Sequence, residues 1–169
     1  MGVIIQTFKE SYPDFSSDIH SIDEASFGSE DAWNSTNFYR DLEQKDRLSF
    51  CAVKEDKAVG YIIGSYYNLG DSGAAHINRI AVDPSCRKLH IGNVLVDRFE
   101  AAAKSLGIEL LTLEFNGNLR VDAFYQKCGF GQISREKEIM DYVLSKNKLH
   151  TAELYLSSER KVFIKRLYL

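Results

Sequence analysis

The stretch between residues 76 and 115 constrains the fold more than any other part of this chain. HINRIAV, residues 76–82, reads as a strand, and Asp83-Pro84 ends it because proline removes a ladder donor. After a basic loop, Ile91, Val94, Leu95, Phe99, Ala102 and Leu106 recur at helical spacing. They predict an amphipathic helix on one apolar stripe, with Gly107 as its C-cap. ELLTLEF, residues 109–115, reads as a second strand. Two strands joined through such a helix pair in parallel, which commits the chain to an α/β fold with one crossover.

The flanking segments fit around that unit. Residues 3–8 read as a first strand, and 15–27 and 33–42 as helices, with Asn34 or Ser35 able to cap the second. LSFCAV and AVGYIIGSYY flank the turn-like KEDK and predict a hairpin. LRVDAFYQKCG predicts a short helix closed by Gly129, while GQISREKEIM and KVFIKRLYL predict strands. Residues 141–159 admit a helix, a broken helix, or a strand and loop, as an insertion before the last strand. The expectation is one α/β (α+β) domain over residues 1–169. Its mixed, mostly antiparallel twisted sheet has about seven strands, flanked by about four helices, with one parallel β-α-β crossover.

At 169 residues, 44% hydrophobic and 27% charged, the chain suits one soluble domain with a sizeable core. A net charge of −3 argues against nucleic acid as the main partner, yet a local basic loop still suits a phosphate. Cys51, Cys86 and Cys128 form no CxxC pair, which points to a reducing compartment without a disulfide framework or zinc ribbon. No stretch has the length to cross a bilayer, and the start has no secretory pattern. Gln6 stands where an N-myristoylation motif needs Ser or Thr. The expectations are a cytoplasmic location, no membrane partner and no metal, since no His, Cys and Asp cluster has ligand spacing. GxxxxGK[ST] and GxGxxG are both absent, which disfavours nucleoside triphosphatases and dinucleotide dehydrogenases.

Arg87, Lys88, Leu89, His90, Ile91, Gly92 and Asn93 join the first of these strands to the helix. A diphosphate there would meet converging backbone N–H groups, a positive helix end and the close approach that a glycine permits. Spacing leaves a plain solvated basic loop equally open. Asn118 could pair with the amides of an extended cofactor arm, or simply serve a turn. Tyr125 offers a neutral phenol to a departing thiolate, although Phe124 and Phe130 beside it also suit plain packing. Glu114 shares a strand face with Leu110 and Thr112, and either takes a proton from an ammonium or sits salt-bridged at the surface. His76 and Asn78 share a face of their strand and could line the same cleft, which makes His76 an alternative base.

IAVDPSCRKLHIGNVLV resembles the acetyl-CoA signature of the GCN5-related N-acetyltransferases, the GNAT family, whose pattern is Arg/Gln-x-x-Gly-x-Gly/Ala. LEFNGNLRVDAFYQKCGF is similar to that family's second signature. IDEASFGSEDAWNSTNF resembles the substrate-side helices of the branch that acetylates protein N-termini, including ribosomal-protein N-terminal alanine acetyltransferases. KVFIKRL resembles the closing strand.

The resemblance implies acetyl-CoA as co-substrate. Its acetyl group goes by direct attack to a primary amine, on a peptide N-terminus or a small molecule. It also implies that Ile80, Ala81 and Val82 pair through their backbone with the pantetheine arm. Residues 88–93 would wrap the pyrophosphate with Arg87 at the mouth, and Asn118 would bond the pantetheine. Tyr125 would protonate the thiolate, and Glu114 would be the general base. Two departures stand out. His90 replaces the first glycine of the signature, tolerable if its backbone stays helical. EIMDYVLSKNK carries only Tyr142 where the N-terminal branch has a Tyr-Tyr pair, which keeps small amines in play. A CoA-binding module without turnover is the alternative, and a homodimer formed through residues 141–159 is a further expectation.

Overall fold

The computed structural model describes residues 2–69, 72–117, 120–133 and 160–167. Its strands are β1 (Ile4–Thr7), β2 (Phe50–Lys54), β3 (Lys57–Leu69), β4 (Ser72–Val82), β5 (Leu110–Asn116), β6 (Gly131–Gln132) and β7 (Arg160–Arg166). Its helices are α1 (Phe8–Phe27), α2 (Ser35–Lys45), α3 (Ile91–Ser105) and α4 (Asp122–Lys127). The strands form one sheet in the order β1-β2-β3-β4-β5-β7-β6. All neighbours are antiparallel except β4 and β5, the expected parallel pair around α3.

Local chemistry accounts for most of these bounds. Glu55 and Asp56, at φ 51 and 57, form the two-residue turn between β2 and β3, whose left-handed backbone matches the twist of the strands. Asn34 caps α2: the Asn37 N–H donates to Asn34 Oδ1, and the Asn34 N–H donates back to Asn37 Oδ1, both at 3.0 Å. α1 begins seven residues before the expected start, at Phe8 and not residue 15. The helix contains Pro13 and kinks two residues later at Phe15, where φ is −116 and ψ is 15.

Hydrophobic packing covers both faces of the sheet. On one face α3 buries Leu95 and Phe99 against Ile62, Ile77, Leu111 and Leu113. On the other, α1 and α2 bury Phe8, Tyr12, Ile19 and Phe38 against Tyr61 and Ile63. The stripe read for α3 needs correction at two positions. Val94 and Leu106 are exposed, while Val96 and Ala103 are buried. The buried arc is turned away from Val94, and Leu106 lies beyond the last helical turn. Among the described residues no helix is long and apolar enough to cross a membrane. Residues 141–159 lie outside the described residues, so the readings of their structure and of a homodimer through them do too.

Candidate active site

The site begins where the sheet comes apart. β4 and β5 pair from Ala74↔Leu110 to Ile77↔Leu113 and no further. Beyond that point β4 stays bonded to β3 as far as Val82, and β5 stays bonded to β7 as far as Asn116. The edges that the two strands turn toward each other are therefore not joined past Ile77. Asn78 stands at the parting as an extra residue in β4, because Ile63 pairs with Arg79 and Gly64 with Ile77. Such a bulge bends its strand and raises its twist, which suits a strand leaving its neighbour.

A cavity of about 890 Å³ opens in this fork. Ile80, Ala81 and Val82 line it from β4, and Arg87, Lys88, His90, Ile91, Gly92 and Asn93 from the turn into α3. Tyr125 lines it from α4, and Ser26 and Phe27 from the end of α1. Leu89 does not line it; this side chain is 55% exposed at the tip of the loop. Asn118 lies outside the described residues.

The loop reaches α3 by an abrupt path. Lys88 and His90 both have left-handed backbone, at φ 65 and 60. The expectation that His90 stays helical is thus corrected: ψ is 13, and the residue precedes the helix as its N-cap. Left-handed geometry costs an ordinary residue about 1–2 kcal/mol, which is the physical case for glycine at such a position. The His90 carbonyl accepts the Val94 N–H at 3.1 Å and so starts the helix. Upstream, Asp83 Oδ1 accepts from the Ser85 hydroxyl and N–H at 2.6 and 2.8 Å. These bonds hold its carboxyl below the ordinary carboxylate range. Gly92 sits close to α4: a β-carbon there would stand 3.2 Å from the Phe124 ring, tighter than an ordinary contact.

Tyr125 is buried, its ring stacked on Phe115 at 5.6 Å and edge-on to Phe124. Burial pushes its phenol above the ordinary value, so the proton stays in place throughout the neutral range. α4 is pinned at both ends. Lys161 reaches Asp122 at 2.6 Å, and Lys165 donates to the Cys128 carbonyl at 2.9 Å. Cys128 itself receives a long bond from Asn93 at 3.6 Å, and burial raises its thiol, which disfavours a nucleophilic role.

The candidate bases sit elsewhere. Glu114 does not line the cavity; its carboxylate pairs with Arg160 at 3.0 Å. His76 is buried with Nδ1 2.8 Å from Thr112 Oγ1, and it does not line the cavity either. Asn78 Oδ1 accepts from Ser65, while its Nδ2 is buried without a hydrogen-bond partner. Neither His76 nor Asn78 lines this cavity.

Sequence reasoning passed over a second group beside the cavity. Asp23, fully buried in α1, accepts two bonds from Arg79 at 2.6 and 2.9 Å. It accepts one from the Trp33 N–H at 2.6 Å and one from the Tyr61 hydroxyl. The only cue was an arginine among isoleucines in HINRIAV, with nothing local to name its partner.

The model of the acetyltransferase (GNAT) family matches residues 8–130. Three solved structures share the fold. Ard1 from Thermoplasma volcanium superposes with a TM-score of 0.70 at 18% identity, over 100% of both chains. The ribosomal-protein-S18-alanine N-acetyltransferase from Escherichia coli gives 0.69 at 17%, over 99% of this chain and 96% of that one. Arabidopsis thaliana Naa50, in complex with the bisubstrate analogue CoA-Ac-MVNAL, gives 0.68 at 16%, over 99% and 100%. At such identities the likeness is one of fold. No curated protein sequence matches the chain significantly.

Proposed function

The chain belongs to the GNAT acetyltransferase family, and from that premise we propose an acetyl-CoA-dependent N-acetyltransferase acting on a primary amine. The observation that carries this reading is the fork between β4 and β5. It leaves the β5-facing edge of Ile80–Val82 unjoined beside a cavity that ends on the first turn of α3. An extended amide-bearing arm would add to that edge as a strand does. A diphosphate would meet the N–H groups of Ile91, Gly92 and Asn93, helped by the charges of Arg87 and Lys88. Asn118 is assigned to the arm by its place after β5.

The chemistry follows from that placement. The amine nitrogen attacks the thioester carbonyl carbon, the carbon–sulfur bond breaks, and the nitrogen gives up a proton. Holding both reactants in the fork supplies proximity, and backbone N–H groups of β4 face the developing charge on the carbonyl oxygen. Tyr125 meets the departing sulfur. Its raised pKa keeps the phenol protonated at neutral pH, and the thiolate takes a proton from it or from water it orients. Glu114, tied to Arg160, takes the amine's proton through water.

The acceptor is a peptide N-terminus or a small-molecule amine. Calorimetry with CoA, run beside thiol release with acetyl-CoA and a panel of peptides and small amines, tests the proposal. Micromolar binding with release for at least one amine is expected, and absent binding would sink it. The ion pair that occupies Glu114 favours one second reading, a CoA-binding module without turnover. Binding with no release from any amine would select that reading.

A further inference from the structure

Arg79 immediately precedes the β4 residues that line the cavity, yet its side chain leaves by the other face. There its guanidinium, on a side chain 11% exposed, forks onto fully buried Asp23. The same group donates to the Asp31 carbonyl at 2.7 Å. Its plane is flanked by two rings, with the carbon 3.6 Å from the Phe27 centroid and 5.0 Å from that of Trp33. The Trp33 N–H closes the arrangement on Asp23. One arginine and one aspartate thus bond the Asp31 carbonyl and the Trp33 N–H of the segment linking α1 to α2.

Phe27 belongs to both sites. It stacks on Arg79, and it walls the cavity beside Ser26, whose buried hydroxyl has no hydrogen-bond partner. If the diphosphate sits at the start of α3 and the arm runs back along Val82 to Ile80, the acyl end arrives next to Arg79. The segment held by Arg79 then borders the reacting end of the cavity.

We propose that the Arg79–Asp23 pair is a positioning device that couples filling of the cavity to the 28–34 segment through the shared ring of Phe27. This rests on the reading of the cavity as a CoA site. A molecule packed against Phe27 excludes water from the rim of the guanidinium sandwich and strengthens the cation–ring contacts within it. The segment beside the incoming amine then stiffens when CoA is bound. Arg79 acts through Phe27 and Trp33 and touches no reacting atom.

Trp33 is the only tryptophan of the chain, so its emission reports this arrangement directly. The experiment titrates the intact protein with CoA, following Trp33 emission and acrylamide quenching, with calorimetry in parallel. The expected result is a blue shift and reduced quenching that saturate with the calorimetric isotherm. Phe27→Leu should keep the free protein's emission, because Asp23 still holds Trp33, and, compared at calorimetric saturation whatever its affinity for CoA, should lose most of the CoA-induced change. Arg79→Lys keeps the charge without the fork, and should give a red-shifted, readily quenched Trp33 that CoA no longer protects. Calorimetric binding with no change in wild-type emission overturns the coupling and leaves the CoA reading intact. So does an undiminished CoA-induced change in Phe27→Leu, which means that the change does not pass through the Phe27 ring. No calorimetric binding in the wild type removes the CoA reading and the coupling together.

Discussion

The two faces of the sheet are held by different physics. The α3 face is a nearly apolar interior of Leu95, Phe99, Leu111 and Phe163, where burial of area supplies the stability without needing direction. The α1–α2 face is also apolar at its centre, but polar contacts are threaded through it. Asp23 draws together Arg79, Tyr61 and Trp33, and the Tyr12 hydroxyl lies 2.9 Å from His20 Nε2. His20 Nδ1 in turn lies 3.2 Å from the Trp33 carbonyl. The difference follows from what each face must hold. A regular helix satisfies its own backbone and needs only a surface to lie on. Between its ends, which bond to the flanking helices, a connecting segment such as 28–34 takes bonds from side chains, and those bonds have direction.

Four measurements would break or sharpen this contrast. On the α3 face, Phe99→Ala should lower urea stability by about 3–5 kcal/mol, the usual cost of emptying a packed aromatic site. A loss below 1 kcal/mol would show that α3 is not held by packing. At the fork, Tyr125→Phe keeps the ring stacking and removes the proton. Turnover in thiol-release assays should fall about 100-fold with CoA affinity nearly unchanged. Equal turnover would take Tyr125 out of the acid role.

On the α1–α2 face, Tyr61→Phe removes one donor from Asp23 and creates no cavity. About 1–2 kcal/mol should be lost in chemical denaturation, and a neutral result would mean that Arg79 and Trp33 satisfy the carboxylate alone. The smallest effect is expected in the loop between the faces. His90→Gly relieves a left-handed residue but frees the unfolded chain, so stability should rise by only ~0.5 kcal/mol. A clear loss would reveal contacts of the imidazole that outweigh its backbone cost.

Much of the fold was legible because its signals are local. The β2–β3 turn, the Asn34 cap and the left-handed glycines that follow α3 and α4, Gly107 and Gly129, all lie within a few residues of what they control. The apolar side of α3 was read correctly at Ile91, Leu95, Phe99 and Ala102, and missed only at its margin. The loop residues at the cavity were found because a strand, a turn and a helix in sequence must aim the same backbone groups at one place. The partners of His76, Asn78 and Glu114 could not be read from the sequence, because they come from other strands. The bulge at Asn78, the Thr112 partner of His76 and the Arg160 partner of Glu114 leave no local trace.

The sequence by itself determined the crossover, the order of its elements and the basic turn into α3. Periodicity, prolines and glycines act on neighbouring residues and need nothing from the rest of the chain. Only the tertiary structure decided where β4 leaves β5, the left-handed turn at His90, and the union of Asp23 with Arg79 across 56 residues. A buried charge can choose its partner only after the sheet has brought distant segments together, because water satisfies both groups equally well in the unfolded chain.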